Sequence, residues 1–74
     1  MYEKLVDIIV HQLQVNEDDI DEDTDVMADL GADSLDVVEM LMAVEDAFEI
    51  DIPDEDVAEL TTVGSIASYI ENRL

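Results

Sequence analysis

The sequence predicts an all-α fold, a small four-helix bundle of three main helices plus one short helix, with a long ordered loop between the first and second helices. Three observations predict it. Apolar residues recur at helical spacing in three separate stretches. Residues suited to helix starts stand just ahead of the second and the last of these. The chain has 74 residues, 49% of them hydrophobic, which is enough for one apolar core and little else. No internal repeat, linker or second domain is visible, so residues 1–74 are expected to form a single domain.

The first helix is expected over residues 2–14. Tyr2, Leu5, Val6, Ile9 and Leu13 fall on one face, with Glu3, Lys4, Asp7, His11 and Gln14 on the other. From Val15 to Asp33 no clean period survives. This stretch is crowded with Asp and Glu but carries Val15, Ile20, Val26, Met27 and Leu30. Those apolar residues favour an ordered loop pinned to the core, and loops of this length are usually functional. Gly31 supplies a permissive backbone just before the next helix.

The second helix is expected over residues 34–49. Asp33 suits the N-cap, and Asp36 three residues later makes a weak capping box. Val37, Met40, Leu41, Val44 and Phe48 form one broad apolar face. Ile50 to Ile52 reads as a short extended link. Pro53 fits the first turn of a short third helix, with Asp54, Glu55 and Asp56 near its dipole-positive end and Val57 and Leu60 toward the core. Thr61 or Thr62 can cap a fourth helix running to the C-terminus, where Val63, Ile66, Ala67, Ile70 and Leu74 share a face and Arg73 lies in the last turn. Tyr2 and Tyr69 are expected at the rim of the core.

Charge narrows the function classes. Twenty-two acidic side chains face two basic ones, Lys4 and Arg73, for a net charge of −20. Such a chain repels itself at low salt and favours divalent cations or basic partner surfaces. Nucleic acid is a poor partner, because its phosphates are repelled, and an anionic membrane is a poor one for the same reason. There is no cysteine, so any thiol chemistry must be brought in from outside. No apolar run reaches transmembrane length, so no membrane insertion is expected and a cytoplasmic location is.

One segment carries chemistry: Gly31-Ala32-Asp33-Ser34-Leu35-Asp36. It places a serine hydroxyl at a helix start, where unpaired N–H groups and the positive dipole end suit a phosphate ester. From position alone, the plainer reading of Ser34 as an ordinary helix-start residue also stands. The sole histidine, His11, lies in the first helix, so Ser34 has no evident base and the domain is not expected to be an enzyme.

The segment, with Val38-Glu39 following and Ile52-Pro53 downstream, resembles the prosthetic-group attachment region of acyl carrier proteins. The order of elements over nearly the whole chain is similar to that family too, and most of all to the free-standing type of bacterial and organellar fatty-acid synthesis. The resemblance implies a helical carrier in which Ser34 bears 4′-phosphopantetheine, moved from coenzyme A by a phosphopantetheinyl transferase using Mg²⁺. The arm's thiol would hold acyl groups as thioesters. Implied partners are acyl transferases, ketosynthases, reductases and dehydratases, met by a monomer through their basic patches. Polyketide or other specialised carriers share the serine segment and remain the alternative. The resemblance also suggests that the acyl chain enters between the second helix and the third and fourth, past Leu41, Val44, Ile52, Leu60 and Ile66.

The second helix carries a further signal. Leu35, Val38 and Met42 form an apolar strip that the core does not need, among Asp36, Glu39, Glu45, Asp46 and Glu49. From the helical wheel alone this is either a docking site with a charged rim or a solvated acidic face with stray apolar residues. The family resemblance implies docking, with Leu35, Asp36, Val38, Glu39, Met42, Glu45 and Asp46 as the contact residues. Two rivals explain less. An EF-hand starting at Asp19 puts Thr24 at the glycine position and Leu30 at the bidentate glutamate, and a start at Asp21 puts Val26 and Ala32 there. No specific metal site is therefore expected, although clustered carboxylates can bind Ca²⁺ or Mg²⁺ weakly. An acidic inhibitor or nucleic-acid mimic fits the charge but gives no reason for Gly31 through Asp36.

Overall fold

Leu5, Val6 and Ile9 recur at helical spacing and are buried, and they define the inner face of α1, Tyr2–Leu13. The computed structural model describes all residues, 1–74. After α1 come a 3-10 turn at Glu17–Asp19, α2 at Ser34–Phe48, α3 at Asp54–Val57 and α4 at Val63–Arg73. The expected all-α bundle is thus the fold found. Fourteen buried apolar residues make one core, drawn from α1, α2, α4, the first loop and both flanks of α3.

The helix ends are set by local chemistry. Gln14 and Glu49 take left-handed backbone conformations, φ 55° each, and stop α1 and α2 one residue short of the expected ends. Pro53 is the N-cap of α3 and not its first helical residue. Leu74 is 69% exposed, so α4's buried face ends at Ile70. Of the aromatic residues, Tyr2, Phe48 and Tyr69 are all half-buried against the core.

The long loop is ordered by its pairing with α4. A helix start leaves its first N–H groups without intrahelical partners. In α4 the Val63 N–H donates to the Thr24 carbonyl at 3.0 Å, and the Gly64 N–H donates to the Glu22 carbonyl at 2.9 Å. Thr62 Oγ1 accepts from the Ser65 N–H at 3.1 Å and completes a capping box. In return the Val26 N–H donates to the Thr61 carbonyl at 3.0 Å. Thr24 is buried, and its hydroxyl accepts from the Asp21 N–H at 2.9 Å, so no polar group is stranded. Of the loop's apolar residues, Val26 is fully buried and Val15, Ile20 and Leu30 pack half-buried on the core. Met27 departs from the expected pinning: it is 43% exposed.

Gly64 is fixed by this docking. A Cβ there would stand 2.9 Å from the Glu22 carbonyl oxygen, a backbone atom with little room to yield. Alanine's better helix propensity, worth about 1 kcal/mol at most, opposes an overpacking cost of about 1–3 kcal/mol. Gly64→Ala is expected to lower the thermal midpoint by about 4–8 °C for each net kcal/mol lost. Circular dichroism melts at fixed salt check this, and an unchanged or raised midpoint would show that the loop is not held as described.

Candidate functional site

Gly31 adopts φ +75° with open space around it, and it turns the chain into α2. Its N–H donates to the Met27 carbonyl at 3.0 Å, and the Ala32 N–H donates to the Val26 carbonyl at 3.1 Å. The turn before it is knitted by aspartates. Asp25 Oδ1 accepts from the N–H groups of Met27 and Ala28, and Asp29 Oδ2 accepts from the Asp25 N–H, each within 2.9 Å. Of the loop carboxylates that alternate in sequence, Asp21 and Asp25 therefore have structural tasks, accepting from backbone N–H groups of the loop.

The expected weak box at α2 is a complete one. Asp33 Oδ1 accepts from the Asp36 N–H at 2.9 Å, and Asp36 Oδ2 accepts from the Asp33 N–H at 3.3 Å. Ser34 is the first helical residue, exposed, and its hydroxyl is free of these bonds. His11 is exposed on α1 and lines a separate groove with Lys4, Asp7 and Ala43. The ionisable side chains next to Ser34 in the first turn are the carboxylates of Asp33 and Asp36, both engaged in the cap.

Ser34 sits at the edge of an apolar cavity of about 220 Å³. The lining comes from Val26 and Met27 of the loop, Val37 and Val38 of α2, and Val57, Ala58, Leu60 and Thr61 around α3. A second cavity, about 130 Å³, lies further along α2 between Val38, Leu41, Met42, Glu45, Ile52, Asp54 and Val57. Val38 and Val57 belong to both. Larger depressions beside Lys4 and along the outer face of α4 are lined mostly by polar or charged residues. The sequence reading of the lining is corrected in part. Leu60 faces the first cavity, and Leu41 and Ile52 face the second, but Val44 and Ile66 are fully buried in the core and line neither. Val26, Val37, Val57, Ala58 and Thr61 were missed. Only their long-range proximity makes them a lining, and hydropathy carries no signal of that.

The strip on α2 stands as the wheel placed it. Leu35 is 65%, Val38 45% and Met42 58% exposed. Glu39 and Asp46 are exposed beside it, and Asp36 is half-buried in the cap. Glu45 differs from its expected place on the open rim. It is half-buried, and its Oε2 accepts from the Ile52 N–H at 2.9 Å, fastening the link to α3. Met27 lies on the other side of the Ser34 cavity and adds an exposed apolar group that the sequence reading assigned to the core.

Comparison with known proteins gives a consistent result. The family described as "Phosphopantetheine attachment site" matches residues 3–70. An acyl carrier protein from Clostridium perfringens is 50% identical over 70 residues, covering 95% of this chain and 92% of the relative. One from Bdellovibrio bacteriovorus is 48% identical over 73 residues, 99% of this chain and 94% of the relative. The solved structure of the thermally stable acyl carrier protein from Enterococcus faecalis superposes with a TM-score of 0.84 at 32% identity, covering 99% of this chain and 92% of that one.

The cap geometry has a measurable consequence. Asp33→Ala deprives the Asp36 N–H of its acceptor and is expected to cost about 1 kcal/mol. Both Asp33→Ala and Asp33→Asn remove one charge from a strongly anionic chain, but asparagine keeps an acceptor. The stability gap between the two variants, read by denaturant unfolding at fixed salt, isolates the cap. Equal stabilities would contradict it.

Proposed function

The chain belongs to the acyl carrier protein family, and from that premise we propose that Ser34 bears the prosthetic group and that the protein carries acyl intermediates of fatty-acid synthesis. Membership brings a covalently attached 4′-phosphopantetheine, whose terminal thiol holds the acyl group as a thioester. The observation that carries the assignment is the position of Ser34. Its hydroxyl is unengaged, exposed at the first turn of α2 and at the edge of an apolar cavity. A phosphodiester there extends into solvent, and an attached chain can fold back toward apolar walls.

The local field supports esterification by a partner and argues against capture of free phosphate. The N–H groups of Ser34 and Leu35 open the helix and favour an anion. Asp33 and Asp36 flank them with two carboxylates that oppose one. A covalent bond from Ser34 Oγ settles the balance, and the acidic surround attracts a basic transferase. The enzyme supplies a base that takes the serine proton, Ser34 Oγ bonds to the phosphorus that carries pantetheine, and the pyrophosphate bond of coenzyme A breaks with adenosine 3′,5′-bisphosphate as the leaving group.

We assign docking to the strip of Leu35, Val38 and Met42 with Asp36, Glu39, Glu45 and Asp46 around it, and residues 1–74 to one carrier domain. Apolar contacts would give adhesion, and exposed carboxylates would steer basic patches of transferases, ketosynthases, reductases and dehydratases toward Ser34. Asp36 and Glu45 have second tasks in the cap and the α3 link, so substituting them mixes docking with folding. Glu39 is exposed without such a task and is the cleaner probe. The long loop, the absence of a helix long and apolar enough to cross a membrane, and the net charge fit a carrier acting as a monomer in the cytoplasm.

Incubation with coenzyme A, Mg²⁺ and a broad-specificity phosphopantetheinyl transferase is expected to add one phosphopantetheine, located on Ser34 by mass spectrometry. Ser34→Ala is expected to keep the helical circular dichroism and to take up none. Uptake by the alanine variant would defeat the assignment. Glu39→Lys is expected to keep full helicity while cutting kcat/KM with a basic-patch partner by up to about tenfold at low salt, and less as salt screens the pair. Wild-type kinetics at every salt concentration would remove Glu39 from the docking surface.

A further inference from the structure

α3 is the least anchored of the four α-helices. It has four residues, none buried, and no side-chain cap. Its flanks are held by Ile52 and Leu60, both buried. Yet α3 and its C-terminal flank form the outer wall of both apolar cavities, through Val57 in each, Ala58 in the first and Asp54 in the second. The position of this short helix therefore sets the width of the space beside Ser34.

One side-chain network ties α3 to the body. The Tyr69 hydroxyl of α4 donates to Asp56 Oδ2 of α3 at 2.7 Å. Arg73 Nη2 donates to the Tyr69 oxygen at 2.7 Å and lies 3.5 Å from the same Asp56 oxygen. The guanidinium also stacks on the Tyr69 ring, 4.0 Å from its centroid. Partial burial and the Asp56 carboxylate raise the Tyr69 hydroxyl above its ordinary value, so it stays a donor at neutral pH. The chain's other basic residue, Lys4, is engaged at the far end of α2 with the Ala47 carbonyl. Arg73 is thus the only Lys or Arg at α3, where Asp54, Glu55, Asp56 and Glu59 crowd together.

We propose that Tyr69 and Arg73 are positioning residues for the cargo: through Asp56 they latch α3 onto α4 and set how far the apolar cavity beside Ser34 opens. Outward movement of α3 parts Val57 from Val38, the two residues shared by the cavities, and joins them into one longer channel. A closed latch confines a short acyl chain near Ser34, and an open one admits a longer chain. The network is partly solvated, so it contributes little to global stability. It acts on an element whose own opening is easy, and there a weak link decides the population. The inference rests on the acyl-carrier reading for the identity of the cargo, but not for the latch itself.

The test is amide hydrogen exchange by NMR on the unloaded protein. The reporters are the N–H groups of Asp56, Glu59 and Leu60, which donate to Pro53, Asp56 and Val57. Tyr69→Phe and Arg73→Gln are each expected to speed these three by about fivefold, the worth of one net hydrogen bond, with the amides of α1 and α2 unchanged. Asp56→Asn combined with Tyr69→Phe is expected to add less than the sum of the two, since both cut one network. Unchanged α3 exchange, or a rise shared by all helices, overturns the latch. The same variants loaded with octanoyl-phosphopantetheine are expected to lose the thioester to hydroxylamine faster than wild type. Equal loss, with α3 exchange raised, overturns the link from latch to cavity. Failure of the wild-type chain to load at all strikes the carrier reading and leaves the exchange result to decide the latch alone.

Discussion

The docking of the first loop onto the start of α4 is the contact on which the rest of the site depends. Val63 and Gly64 would otherwise open α4 with unpaired N–H groups, and the carbonyls of Thr24 and Glu22 take both. Once that register is fixed, Val26 is buried and Met27 is left at the surface. The aspartate-knitted turn then delivers Gly31 and Asp33 to the start of α2. Ser34 is thus held by two capped helix starts in series. A nineteen-residue acidic stretch without periodicity becomes a rigid strut because its backbone hydrogen bonds have definite partners, even though few of its side chains are buried.

That dependence explains which parts of the structure were legible in the sequence. Local rules sufficed for α1, α2 and α4, for the cap pair Asp33–Asp36, and for the exposure of Leu35, Val38 and Met42, because each depends on residues within one or two turns; the cap of α4 was narrowed to Thr61 or Thr62, and the structure gives Thr62 with Ser65 as its partner. Thr24 was not legible as a buried residue. It is polar, and its burial is tolerated only because Asp21 bonds it locally and α4 covers it. Met27 and Val26 are adjacent and both apolar, yet the bridge to Thr61 and Thr62 decides which one faces inward. The cavity lining was half legible for the same reason. Leu41, Ile52 and Leu60 line the two cavities, while Val44 and Ile66 are fully buried in the core. Glu45 looked like one more rim carboxylate. Its bond to the Ile52 N–H spans seven residues and an irregular link, which no periodic pattern encodes.

Charge is distributed with the same economy. Both basic residues bridge separate elements. Lys4 of α1 donates to the Ala47 carbonyl in the last turn of α2, 5.1 Å above the Phe48 ring, where the dipole favours a cation. Arg73 of α4 reaches Asp56 of α3. The acidic side chains point mostly to solvent, where a Debye length of about 8 Å at physiological salt screens their mutual repulsion. Several also serve the backbone directly, as caps and turn acceptors at positions 21, 25, 29, 33, 36 and 45. A carboxylate used this way stabilises the fold and still projects negative potential, so part of the acidity of the surface is also the acidity that orders the chain.

A carrier must meet two opposed demands, a fixed attachment point and a wall that yields to cargo. The fold separates them along α2. At its N-terminus the cap, Gly31 and the loop–α4 contacts fix Ser34 through several hydrogen bonds that do not involve α3. Further along, the wall opposite α2 is a four-residue helix with no buried side chain, held by two buried flanks and one solvated network. Local opening free energies follow such differences in burial and bonding. None of the hydrogen bonds that build the start of α2 comes from α3 itself. On the proposed carrier reading, the attachment point at Ser34 is thereby separated from the wall that the Tyr69–Arg73–Asp56 network holds.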